Sequence, residues 1–132
     1  MSIQNVLNTA LYSRLAGTVT AAGSAVYFLQ APDNQSRPYI VFDYSSDMDE
    51  NDTSNRTKNT VAFIRAYADT PAQAGTIDAQ IDALLHLQTL TVTGYTNFWT
   101  AREMSFQNIE NAPAGNKIFM SGAEYRIRND KD

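Results

Sequence analysis

The sequence has no cysteine, which excludes disulfide staples, thiolate zinc sites and cysteine nucleophiles, and agrees with a reducing compartment. Basic side chains are scarce. Ten Lys and Arg stand against fourteen Asp and Glu, a net charge of −4 that argues against holding nucleic acid by its phosphates, which needs clustered cations. No apolar run approaches the length of a bilayer crossing, and Met1 to Gln4 lacks the basic start and apolar stretch of a secretion signal. The chain is therefore expected to be made and kept in a cytoplasm, where the triplets Asn51-Asp52-Thr53 and Asn55-Arg56-Thr57 carry no glycosylation meaning. Glycine-rich phosphate loops, zinc-ligand spacings and internal repeats are missing too. What is present is 132 residues of even composition, 43% hydrophobic and 18% charged. That suffices for one domain spanning 1–132, able to bury roughly two thirds of its unfolded surface.

Ile3, Val6, Leu7, Ala10, Leu11 and Leu15 recur at three- and four-residue spacing, so Ser2 to Ala16 reads as an amphipathic helix ended by Gly17. Val26 to Leu29 is a short β run, followed by turn residues from Ala31 to Ser36. Pro38 to Tyr44 is a second strand, apolar enough to be covered on both faces, with Pro38 at its start because proline cannot donate to a ladder. Residues 45–59 hold Met48 as their only apolar member and are expected to form an exposed acidic loop or hairpin tip, too polar to pack. Loops of that length in small domains usually have a function, which makes this segment the first candidate site. Thr60 to Ala68 is a third strand.

Thr70-Pro71-Ala72-Gln73 combines a capping Thr, a first-turn Pro and a Gln at the reciprocal position, the signature of a helix start. Ala74, Ile77, Ile81, Leu84 and Leu85 continue the helix to about His86 to Gln88. Leu90 to Tyr95, Asn97 to Gln107 and Lys117 to Arg128 supply three more β runs, with a bulge or bend at Gly94. The order α-βββ-α-βββ predicts an α+β domain, a mostly antiparallel sheet with two helices packed on it.

Each arrangement that could carry chemistry has a plainer reading. Asp47-x-Asp49-x-Asn51 matches the opening of a calcium loop, but Asp52 stands where that loop needs Gly and Lys58 where it needs its closing Glu. His86 has no Ser or Cys nucleophile pattern nearby and sits where a helix C-terminus favours a cation. Asp78 and Asp82, one helical turn apart, resemble an acid–base pair but read better as a solvated helix flank. Tyr95, Phe98, Trp99 and Phe106 interleave with Arg102 and Lys117 as in base-stacking platforms, yet in an acidic chain they read as core or subunit interface. No catalytic residue, cofactor or metal is expected.

The first helix, Val26-Tyr27, Pro32, Pro38-Tyr39-Ile40-Val41-Phe42, the polar loop, Val61 to Tyr67 and the helix with Ile77, Ile81, Ala83, Leu84 and Leu85 together resemble the tail terminator, or tail completion, proteins of long-tailed bacteriophages. The resemblance spans about Leu7 to Ile127. It implies a virion protein of the tail–neck region, assembled in the bacterial cytoplasm. Copies would form a ring, commonly a hexamer, that caps the tail tube, ends its polymerisation and offers the head-joining surface. The implied partners are further copies of the chain, the tube protein and the head–tail connector protein, with DNA passing through without specific binding and no membrane contact. A domain of this length is about 36 Å across, so six tangent copies leave an opening of about 36 Å, and five also pass a duplex about 20 Å wide.

Between Asp43 and Lys58 lie five acids and two bases, so this stretch carries −3 of the net −4. Asp47, Asp49, Glu50, Asp52, Arg56 and Lys58 are therefore the candidate interface or channel residues, where negative charge would keep transiting DNA from adhering. Two other readings remain open: the head-completion or connector protein of the same virion, and a small metal-dependent hydrolase built on the carboxylates.

Overall fold

Among the described residues, two helices and five strands follow in the order α1 (Ile3–Leu15), β1 (Val26–Phe28), β2 (Tyr39–Asn51), β3 (Arg56–Ala68), α2 (Pro71–Leu85), β4 (Tyr95–Asn111) and β5 (Lys117–Lys131). The computed structural model describes residues 3–19, 22, 25–51, 56–111 and 115–132, with the backbone alone for 46, 47, 49–51 and 56. The strands form one sheet, β1-β2-β3-β5-β4, in which β1 runs parallel to β2 and the other pairs are antiparallel. The fold class is the α+β one expected.

Both helices arise from signals visible in the chain. In α1, Ile3, Val6, Leu7, Ala10, Leu11 and Leu15 are all buried, and Gly17 at φ 75° turns the chain away. In α2, the Thr70 hydroxyl oxygen accepts a hydrogen bond from the Gln73 N–H at 3.2 Å and Pro71 opens the first turn. Arg14 ties the helices together, its Nε donating to the Leu84 carbonyl at 3.0 Å. The α1 and α2 stripes meet one sheet face, where Ile40, Phe42, Ala62, Ile64, Ala66, Ala123, Tyr125 and Ile127 complete a single apolar cluster.

The second half departs from the expected order. Leu90 to Tyr95 does not form a strand of its own, so two strands follow α2 instead of three. Leu90 and Val92 are buried and Thr91 and Thr93 exposed, so a loop laid over the core produces the same alternation as a strand. The Leu90 N–H is satisfied by the Asn97 side-chain oxygen at 2.8 Å, and Gly94 at φ 82° bends the chain into β4.

The stretch 45–59 is also different. β2 and β3 continue through it as a paired arm, Met48 opposite Asn59 and Asn51 opposite Arg56. Thr57 and Asn59 are buried, contrary to the expectation that this segment is too polar to pack. The cause is β5, whose far end pairs with Thr57–Asn59 and supplies hydrogen bonds in place of apolar contacts. The Thr57 hydroxyl donates to the Asp130 carboxylate. The tip, 52–55, lies outside the described residues.

Neither helix packs on the opposite face among the described residues, and that face shields itself with aromatic rings. Tyr39 stacks on Tyr67 with centroids 5.2 Å apart, and Phe63 meets Phe106 edge-on at 5.7 Å. The Arg65 guanidinium lies 5.1 Å from the Phe63 ring and pairs with Asp43 at 2.9 Å. Gly122 sits beneath these rings, where a Cβ would come within 2.7 Å of the Ile64 carbonyl oxygen and 3.0 Å of Phe106.

Candidate functional site

The acidic arm places its residues by strand register. Asp47 stands opposite Thr60, Asp49 opposite Lys58 and Glu50 opposite Thr57, with Arg56 opening β3. Asp52 falls among the residues not described. The arm therefore presents most of the candidate residues on paired backbone at the end of the sheet far from Tyr39 and Tyr67.

The aromatic and basic residues of the second half do not converge. Trp99 pairs with Arg128 near one end of β5 and Lys117 with Asn111 at the other. Phe106 lies on the face away from the helices, while Arg102 turns beneath α2. No base-stacking platform forms from them. Phe98 is exposed, with the Arg128 guanidinium 6.0 Å from its ring.

Asp78 is not a solvated flank. Its side chain is 13% exposed and is gripped by two Arg102 nitrogens, at 2.7 and 3.2 Å. A helix carboxylate with no partner on its own element meets a cation from β4, which periodicity along α2 cannot reveal. Arg102 Nη1 also donates to the Tyr125 hydroxyl at 3.1 Å, and Arg102 Nε to the Ser105 hydroxyl at 3.0 Å. Asp82 lies 3.5 Å from the Tyr125 hydroxyl. The Asp78 hydrogen bonds hold the Arg102 charge firmly, and burial pushes the Tyr125 phenol well above its ordinary value, against the opposing pull of Arg102. His86, the C-cap of α2, accepts the Arg102 backbone N–H on its Nδ1 at 3.0 Å. The forked guanidinium takes one lone pair on each Asp78 oxygen. The cluster binds α2 to β4 through Asp78, while Asp82, 3.7 Å from the guanidinium, is 40% exposed.

The sheet has two bare edges that the sequence reading did not anticipate. β1 covers β2 only at Ile40–Phe42, which leaves Asp43–Asn51 without an outer neighbour among the described residues. On the far side, the Leu87 N–H donates to the Thr100 carbonyl and His86 takes the Arg102 N–H, which leaves Glu103–Asn111 bare among the described residues. Met48 on the first edge is 61% exposed, and Met104 and Ile109 on the second are 54% and 57% exposed. The signal that could have exposed this was the length of the two strands: β2 outruns its only outer neighbour, and β4 outruns the chain that precedes it.

The family model for tail completion protein gp17 matches residues 7–112. A chain in a solved structure titled "Virion of native gene transfer agent (GTA) particle" superposes with a TM-score of 0.80 at 16% identity, covering 98% of each chain. A second solved chain superposes with a TM-score of 0.52 at 13% identity, covering 96% of each. No curated protein matches the sequence.

Proposed function

We propose, from the premise that this chain belongs to the tail completion protein gp17 family, that it forms a ring closing the phage tail tube, ending tube growth and presenting the surface that joins the head. The observation that carries the reading is the two bare edges on opposite sides of one sheet, Asp43–Asn51 and Glu103–Asn111. A closed ring needs two different patches on each copy, so that every copy offers one and receives the other. The near-complete superposition on a chain from a gene transfer agent particle supports a place in a virion. In this reading the partners are further copies of the chain, six to a ring, then the tube protein and the head–tail connector, and assembly takes place in the host cytoplasm. Particles made without the chain should carry over-long tubes that fail to join heads, as seen by electron microscopy; tails of normal length joined to heads would refute the role.

The acidic arm, with Arg56 and Lys58 on its second strand, would face the channel or the tube, where Asp47, Asp49, Glu50 and Asp52 repel passing phosphates while its backbone holds neighbours. Replacing these four acids by their amides should slow DNA ejection or impair capping while the purified chain unfolds at an unchanged midpoint. Fully infectious particles would remove the arm from the mechanism.

A further inference from the structure

We infer that, in the ring proposed above, neighbouring copies join by adding the bare edge of β2 in one copy, Asp43–Asn51, to the bare edge of β4 in the next, Glu103–Asn111. The two stretches are nine residues each, so they can overlap in full. Their directions agree as well. β2, β3, β5 and β4 alternate in direction across the sheet, so the β4 of one copy runs opposite to the β2 of a neighbour placed beside it in the same sense. The junction is then antiparallel and continues the ladder already present.

The outward backbone donors of β4 can be identified. The Ile109 N–H turns to its neighbour's side-chain oxygen, Asn108 Oδ1, at 2.8 Å. Alternation in an antiparallel ladder sets the Gln107 and Ser105 N–H groups on that same outer side.

Full overlap places Asp47 opposite Gln107, Met48 opposite Phe106, Asp49 opposite Ser105 and Glu50 opposite Met104. No acid of one edge then directly faces an acid of the other. Faces match too, because Met48 and Phe106 both stand on the side of the sheet away from the helices, as their registers through Asn59 and Gly122 require. The exposed Met48 and Met104 side chains come to lie within one junction.

The overlap also sets a stagger. Gln107 lies in the row of Ser121, Ala66 and Ile40, whereas Asp47 lies in the row of Thr60, Ile127 and Thr100. Counted on β3 and β5, which carry no bulge between these rows, each copy therefore slides by six residues, Thr60 to Ala66 or Ser121 to Ile127, about 20 Å, against about 19 Å for the width of four strands. The resulting strand tilt of about 46° is close to the ~35–45° by which closed sheets incline to their axis. A junction of this register favours a closed ring over a flat ribbon.

Because the chain has no cysteine, an engineered pair reports the register directly. A chain with both Asp47→Cys and Gln107→Cys, oxidised as purified ring and in purified particles, should give a ladder of cross-linked species ending at the ring size on a non-reducing gel. Either single variant should give none. Gln107→Pro, which deletes one outward N–H and leaves the ladder to β5 intact, should shift the chain from rings to monomers with an unchanged circular dichroism spectrum. Rings without a ladder, together with rings retained by Gln107→Pro, would overturn this junction and leave the ring standing. Dimers from Gln107→Cys alone would overturn it in favour of a two-fold β4 contact. A chain that is monomeric both in solution and in particles would overturn the ring as well.

Discussion

Gly122 illustrates how a single position can be fixed by its surroundings without unusual backbone angles. Its missing side chain lets Phe106 cross over β5 to reach Phe63, with Arg65 lying on both rings. Gly122→Ala puts a methyl against the Ile64 carbonyl and the Phe106 ring, a clash that backbone must yield to, and is expected to destabilise by about 1–3 kcal/mol in urea unfolding. The Arg102 cluster makes a sharper case. Arg102→Met strands the Asp78 carboxylate beneath the sheet and should destabilise by about 3 kcal/mol or more, whereas adding Asp78→Leu to it should recover most of the loss. If the double variant were as unstable as the single one, the charge pair would be contributing far more than its mutual neutralisation. Tyr125 adds a pH signature. Burial raises its pKa in the folded chain, so the unfolded chain loses the phenolic proton first, at its ordinary value near 10. Stability from this group is complete below about pH 10 and is lost as pH rises beyond it. Urea midpoints followed from pH 9 to 11.5 should fall, and Tyr125→Phe should flatten the fall; an equal slope in both chains would assign the alkaline loss to Tyr39 and Tyr67, which burial also raises.

At the scale of elements, legibility followed locality. A helix is specified by residues three and four apart and by caps a turn away, so the buried stripe of α1 and the Thr70 cap of α2 were readable from the chain alone. Thr70→Ala is expected to cost about 1 kcal/mol, measured by thermal unfolding, because the Gln73 N–H loses its acceptor. Strands were less readable because a neighbour decides what polarity means. Leu90 and Val92 alternate with threonines like a strand and form a loop, whereas Thr57 and Asn59 look like loop and lie buried under β5 pairing. The same reasoning explains the candidate site. Asp47, Asp49 and Glu50 were identified by their charge, but that they ride on a strand with a bare outer edge depends on how far β1 reaches, and β1 ends at Phe28. The burial of Asp78 is hidden from the sequence for a parallel reason: its partner Arg102 is 24 residues away on another element.

For the whole molecule, the balance of charge separates an assembly held by backbone and apolar contacts from one held by ion pairs. Every copy carries −4, concentrated in the arm, and a ring brings several such arms together. Copies that join through strand edges gain their attraction from hydrogen bonds and from side chains such as Met48 and Met104, neither of which salt weakens. Their mutual repulsion is a different matter, because it acts over the Debye length, about 30 Å at 0.01 M salt and about 10 Å at 0.1 M. Raising salt should therefore favour the ring. Sedimentation of the purified chain at fixed concentration is expected to show more ring at 0.2 M than at 0.01 M sodium chloride, and replacing Asp47, Asp49, Glu50 and Asp52 with amides should remove most of that dependence. The opposite trend, rings that loosen as salt rises, would mean that copies are joined by opposite charges, for which the bare edge of β4, with Glu103 and Glu110 as its charged residues, offers no cation.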